Sequence, residues 1–345
     1  MADLDAEDTR AARPRWSVGR VLLLLVTGFS LYLFAPSIAE VFRAWDRLGD
    51  VQPIAIPVLL ACEVGSFVCV WVLQRIALRT HGWFVVSTTQ LAGNAFNRIT
   101  PGGGTTGTAL QASMLTDAGF DGAKAAAGLT AQSLLITAAL IVMPVFALPA
   151  IFAGTSVPGS LIDALWIGLV LFLGMVALGT LLLATHRPVV WVGDTVQRIA
   201  NLVRRHREPI RDLGSRLLVE RDEIRTTMGS RWVEAVAAAV GRWAFEYFVL
   251  LVTLYGIGAS PNPWLVLIAF VAASVLGMVP FTPGGLGFVE AGLTATLALS
   301  GITTGEAVLA TLVFRLVSFW LPMPIGLVTT WMFRRRYPRV AAAPD

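Results

Sequence analysis

The chain has 345 residues, 56% of them hydrophobic and only 14% charged, with a mean hydropathy of +0.71 and a formal net charge of +4. Soluble domains carry about a quarter charged residues, so the deficit, together with apolar runs near the ~20 residues that span a bilayer, excludes a soluble globular protein. It predicts an all-α, polytopic integral membrane helix bundle. The positive charge is not a nucleic-acid signature, because the arginines gather at the ends of apolar segments.

Taken in order, residues 1–16 form a polar tail expected to be disordered. No small-residue cleavage site follows the first apolar run, so Val18–Pro36 reads as a retained membrane helix rather than a signal peptide. Pro53–Ile76 is a second span and carries Glu63 at buried depth. Cys62 and Cys69 in it lie two turns apart, too far for a disulfide within an intact helix. Trp83–Phe96 is too polar for a confident span and reads as an interfacial or partly buried helix leading into Asn97-Arg98-Ile99-Thr100-Pro101-Gly102-Gly103-Gly104. Gly104–Gly119 follows as a short polar helix, either re-entrant inside the bundle or interfacial. Ala123–Leu148 and Leu161–Ala184 are strong spans.

Thr185–Arg231 is the one substantial extramembrane piece, with ten arginines interleaved with recurring apolar residues. That pattern predicts amphipathic helices on an anionic leaflet, and its length is below that of a catalytic domain. Trp232–Tyr255 is a span with Glu234, Arg242 and Glu246; Trp264–Pro280 is a shorter one. Next comes Thr282-Pro283-Gly284-Gly285-Leu286-Gly287-Phe288-Val289-Glu290, then the apolar piece Leu286–Leu299, and Glu306–Phe333 closes the membrane region.

The basic tail, loop and C-terminus all belong in the cytoplasm by the positive-inside rule, and the link 150–160, free of Lys and Arg, belongs outside. By parity either Leu286–Leu299 completes a crossing or another boundary is misplaced, which predicts eight crossings, plus or minus one, with one re-entrant element. The use of arginine, with Lys124 the sole lysine, fits a GC-rich bacterial genome and a plasma-membrane location.

The two Pro-Gly-Gly breaks lie 182 residues apart, and the same offset matches Gly119 to Gly301, Ala109 to Ala291, Leu115 to Leu297 and Ala125 to Ala307. Helix breaks in corresponding positions of two halves point to repeats, often of opposite orientation, that meet at a membrane binding site. Chance similarity between two Gly/Ala-rich stretches is the alternative.

The run Pro280-Phe281-Thr282-Pro283-Gly284-Gly285-Leu286-Gly287-Phe288-Val289-Glu290-Ala291-Gly292, followed by Phe314-Arg315-Leu316-Val317-Ser318-Phe319-Trp320-Leu321-Pro322, resembles the C-terminal signature of the flippase-like domain family, the transmembrane region of lysylphosphatidylglycerol synthases and their stand-alone relatives. Asn97…Pro101-Gly102-Gly103 resembles its N-terminal signature, although Thr108 and Gln111 stand where the family commonly has a Gly-Glu pair followed by arginine. The resemblance covers roughly residues 20–333. It implies one flippase-like membrane domain at 17–333, with a first repeat near 53–148, a second near 232–333 and a short C-terminal tail from 334, and no soluble synthase domain. The function it implies is translocation or handling of a phospholipid or lipid-linked headgroup.

Intramembrane charges are costly and mark functional sites. Glu290 would sit in the first turns of a helix after the second break, where the dipole favours its charge; it could bind a cationic headgroup, exchange a proton or pair with an arginine. Arg315 is placed to ligate phosphate or to pair with Glu290. The glycines Gly102, Gly103, Gly104, Gly284 and Gly285, with Pro101 and Thr105, free backbone amides for an anion. Arg98 adds positive charge at the first break, with Gln111, Asn97 and Glu63 as further polar lining. Arg242 and Glu246, one turn apart, read as a structural ion pair.

No metal-ligand spacing or cofactor motif appears and no phosphate-binding Gly-x-x-x-x-Gly-Lys loop occurs, so an enzyme or an ATP-driven pump is disfavoured. Besides lipid translocation, a small-solute or ion secondary transporter and a non-catalytic partner of an envelope lipid or glycan enzyme stay open. The expected partners are a phospholipid or lipid-linked substrate, the anionic membrane surface and an envelope-biosynthesis protein, not nucleic acid.

Overall fold

A computed structural model describes residues 51–100, 105–147, 231–277 and 283–338, with a few isolated positions elsewhere. The expected spans Val18–Pro36 and Leu161–Ala184, nearly all of the basic loop, and Pro101–Gly104 lie outside the described residues. The described chain is helical: α1 (Ala55–Ala77), α2 (Trp83–Ile99), α3 (Thr105–Asp117), α4 (Gly122–Val142, continued by a 3₁₀ turn at Met143–Ala147), α5 (Trp232–Gly256), α6 (Pro263–Gly277), α7 (Phe288–Leu299), α8 (Thr304–Arg315) and α9 (Pro322–Arg336). A π-turn at Leu316–Trp320 joins α8 to α9. Among the described residues, four helices are long and apolar enough to cross a membrane: Ala55–Ala77, Gly122–Ala147, Trp232–Gly256 and the 33-residue Thr304–Arg336. The protein is a multi-pass, all-α membrane protein.

The helices are inside-out relative to those of a soluble bundle. On α1, Leu60, Val64 and Val68 are exposed one turn apart, whereas Glu63, Ser66 and Gln74 are buried. Pro57 is tolerated because it falls in the first turn, where its missing N–H costs no helical bond. α1 packs antiparallel to α5 along nearly its whole length: Gly256 lies against Ala55, Phe245 against Gly65 and Gly241 against Cys69. Small residues at these crossings let the backbones approach, the usual device for helix association in lipid. Trp243, Phe270 and Phe314 stack edge-on behind this pair, tying α5, α6 and α8 into one core.

Between the long helices lie two helical hairpins. In the first, α2 and α3 run antiparallel, with Gly93 beside Gly107 and Gln111. In the second, α6 and α7 do the same: Gly277 faces Val289, Leu276 faces Gly292, and the Ser300 hydroxyl donates to Leu265 O at 3.3 Å. α7 thus returns alongside α6, as two successive elements of opposite direction must. The cause is local. Gly284, Gly285 and Gly287 hold φ of 59°, 72° and 82°, left-handed values that reverse the chain and that other residues rarely adopt.

The 182-residue offset is visible in the backbone. α3 and α7 both end two residues before a left-handed glycine, Gly119 (φ 91°) and Gly301 (φ 87°). After each glycine one N–H reaches back five residues, Phe120 to Leu115 O at 3.0 Å and Ile302 to Leu297 O at 3.2 Å. The next helices are capped at equivalent positions: Asp121 accepts from Lys124 N, and Thr303 accepts from Glu306 N. Leu115 and Leu297, and Ala125 and Ala307, are fully buried.

Candidate functional site

The tips of the two hairpins meet beside the π-turn, near the middle of the 33-residue α8–α9 helix. Arg98, at the end of α2, donates a hydrogen bond to Phe319 O. In the π-turn Leu321 N–H bonds Leu316 O, five residues back, at 2.9 Å. The second tip closes on the same ring, since a Cβ added to Gly284 would run into the Phe319 side chain and the Arg98 backbone lies 3.5 Å away from it.

Arg315, the last residue of α8, donates from Nε to Glu290 Oε1 at 2.7 Å and from Nη2 to Gly284 O at 3.3 Å. Glu290 Oε2 accepts from Gly287 N at 2.7 Å, which caps α7. Glu290 is thus both a helix cap and a partner of Arg315, and both its oxygens are engaged. The pair is largely buried, with side-chain exposures of 9% for Arg315 and 15% for Glu290. The guanidinium groups of Arg98 and Arg315 both lie over the Phe319 ring, 4.8 and 4.1 Å from its centroid, within the range of cation–π attraction.

The antiparallel pair α1–α5 brings further charge to the same level. Arg242 Nη2 donates to Glu246 Oε1 at 2.9 Å, within one turn of α5. Glu63 of α1, 5% exposed, lies within electrostatic reach of Arg98, Arg242 and Glu246. Arg98 in turn feels Arg315, and Arg315 feels Glu246. Six charged side chains, Arg98, Arg242, Arg315, Glu63, Glu246 and Glu290, form one cluster drawn from α1, α2, α5, α7 and α8. Two atoms in it are buried without a hydrogen-bond partner, Glu63 Oε2 and Arg242 Nη1.

The remaining residues singled out in the sequence divide between frame and lining. Asn97 Oδ1 accepts from Gly107 N at 2.5 Å and so caps α3 from across the hairpin. Thr100 and Thr106 share a 2.6 Å hydroxyl contact across the turn. Gln111 is buried against Gly93 and holds the hairpin closed. Thr105 opens α3, and Pro101–Gly104 lie outside the described residues. Gly285 sits under Gly277 and Val289, within the turn itself.

Sequence reasoning missed a polar stripe on the side of the hairpin where α2 begins. Gln74 Nε2 donates to Thr89 Oγ1 at 3.5 Å, and Trp71 Nε1 donates to Gln90 Oε1 at 3.2 Å. Gln74 Oε1, Asn94 Oδ1 and Gln132 Oε1 are buried without a partner. Its signal was the spacing of Glu63, Ser66 and Gln74 on one face of an otherwise apolar helix.

Two comparisons place this architecture. Two proteins of Methanothermobacter thermautotrophicus, each described as a UPF0104 membrane protein, are 28% identical over 85 residues and 30% identical over 90 residues. These stretches span only about a quarter of this chain and of each relative. The family profile described as the lysylphosphatidylglycerol synthase TM region matches residues 17–326, a range that contains both hairpins and all six clustered charges. The chain belongs to the lysylphosphatidylglycerol synthase transmembrane-region family.

Proposed function

We propose that the protein translocates a phospholipid or lipid-linked headgroup through a polar site between the two hairpin tips, as a transporter rather than an enzyme. The observation that carries this reading is Arg242 Nη1, a cationic donor buried without a partner in a cluster that already holds Arg98 and Arg315. An unpartnered buried donor carries the full desolvation cost of the group, and a phosphate oxygen is the acceptor a guanidinium suits best. Arg98 and Arg242 keep part of their surface open, as a ligand requires.

The hairpins support an alternating path. α1 and α5 are antiparallel, and each is followed by a hairpin, so the hairpins enter from opposite sides as inverted repeats whose broken tips face one another. Arg334, Arg335 and Arg336 end α9 beside the start of α2, where Arg336 lies over Phe84, which puts that end in the cytoplasm by the positive-inside rule. The first hairpin then re-enters from the cytoplasm and the second from outside.

The test is headgroup scrambling in proteoliposomes of the purified protein across a panel of fluorescent phospholipids, wild type beside Glu290→Gln. The wild type exchanges at least one phosphate-bearing lipid, and the variant, with Arg315 no longer matched by a carboxylate, slows by about tenfold or more, equivalent to about 1.4 kcal/mol in the barrier. An absence of exchange for every lipid tested rejects the reading. Exchange of a soluble phosphate ester in place of lipid would instead identify a solute transporter.

A further inference from the structure

The charges in the cluster balance. Among the described residues it holds three arginines, Arg98, Arg242 and Arg315, and three carboxylates, Glu63, Glu246 and Glu290. A phosphodiester headgroup arriving there adds one negative charge at membrane depth, where net charge is expensive. One proton restores neutrality.

The three carboxylates are not equivalent recipients. Both oxygens of Glu290 are engaged, one by Arg315 and one by Gly287 N. Glu246 is held by Arg242 through an ion pair on its own helix. Glu63 is the most deeply buried of the three, and its Oε2 has no partner. The charged groups facing it are Arg98 from α2 and Arg242 and Glu246 from α5. Arg315 stands beyond Arg98 at the π-turn, and Cys62 is its neighbour on α1.

The face of α1 that carries Glu63 continues through Ser66 to Gln74, about 16 Å along the helix. Gln74 lies beside Thr89 of α2, and the unpartnered amide oxygens of Gln74, Asn94 and Gln132 are acceptors that can hold water. That stripe leads toward the basic end of α1, at Arg75 and Arg79.

We infer that Glu63 is a proton-binding site and that the protein moves one proton with each singly anionic phosphodiester headgroup, as an electroneutral symporter. This rests on the lipid-translocating reading above and names its coupling ion. The step balances: a proton from the solution on the entry side, relayed by water in the polar stripe, binds Glu63 Oε2 as the headgroup enters, the neutral carboxyl and the bound anion reorient together, and the same proton passes to water on the far side as hydronium when the headgroup leaves.

The experiment uses proteoliposomes with fluorescent phosphatidylglycerol and an imposed gradient of about one pH unit. Wild type should drive the lipid toward the alkaline side, approaching a tenfold transbilayer asymmetry for one proton per headgroup. A potassium diffusion potential should add nothing. Glu63→Gln should lose the response to the gradient, and Glu63→Asp should keep it. Because Glu63→Gln can misfold, a second measurement uses the wild type alone. Short-chain phosphatidylglycerol added to the detergent-solubilised protein in weak buffer should remove about one proton per protein from solution, read with a pH dye. Lipid exchange that ignores the gradient, an asymmetry driven by voltage, or binding without proton uptake overturns the coupling and leaves the translocating reading intact. An absence of lipid exchange and of lipid binding overturns both.

Discussion

The two hairpins share a frame and divide the chemistry. α2–α3 and α6–α7 have the same turn glycines, the same buried leucine and alanine, and capped successors at one common offset. Their charges do not correspond. Arg98 of the first hairpin matches Pro280 of the second, Glu290 of the second matches Thr108 of the first, and Arg315 after the second matches Ser133. Even the device that caps the returning helix differs, a neutral Asn97 amide in one and the Glu290 carboxylate in the other. The difference teaches that matching backbone can fix where two tips meet while each hairpin brings its own charges to one cluster. A site so divided is neutral only when both halves are in place.

The sharpest way to break this comparison is at the charged half. Arg315→Gln leaves Glu290 buried opposite a neutral amide and should lower stability by roughly 3–5 kcal/mol, with the double variant Glu290→Gln/Arg315→Gln recovering part of it. Denaturant unfolding in micelles measures both, and a double variant no more stable than the single would show that the pair is not coupled. A smaller effect is expected in the first hairpin, away from its one clustered charge, Arg98. A side chain at Gly107 would meet Gly93 O and the Asn97 amide, so Gly107→Val should cost about 1–3 kcal/mol by overpacking. Replacing its counterpart Val289 by alanine should cost less, because it only trims a contact with Gly277; the reverse order would mean the second hairpin is the tighter one. Smallest are the shared caps: Asp121→Ala and Thr303→Ala should each cost about 1 kcal/mol. Thermal unfolding of the two variants side by side tests whether the equivalent turns are equivalent in energy.

Much of the frame was legible because it is local. About six turns or more of apolar sequence mark each long helix, Arg242 and Glu246 lie one turn apart, and glycine after a short helix announces a chain reversal. The pairing of α7 with α6 was not legible, because it depends on the left-handed conformation that Gly284, Gly285 and Gly287 adopt between them. The contacts of Arg98 with Phe319 and of Glu63 with α2 and α5 were not legible. They join residues up to 221 positions apart, and no periodicity encodes which buried charge meets which across helices.

Phe319 itself carries a consequence of where it stands. Its ring is touched by the first tip through Arg98, by the second tip at Gly284, and by the paired Arg315. Parts of three helices therefore lean on one flat side chain, so a change at Phe319 disturbs both tips and the Arg315–Glu290 pair at once, whereas a change at either arginine touches one contact of the ring.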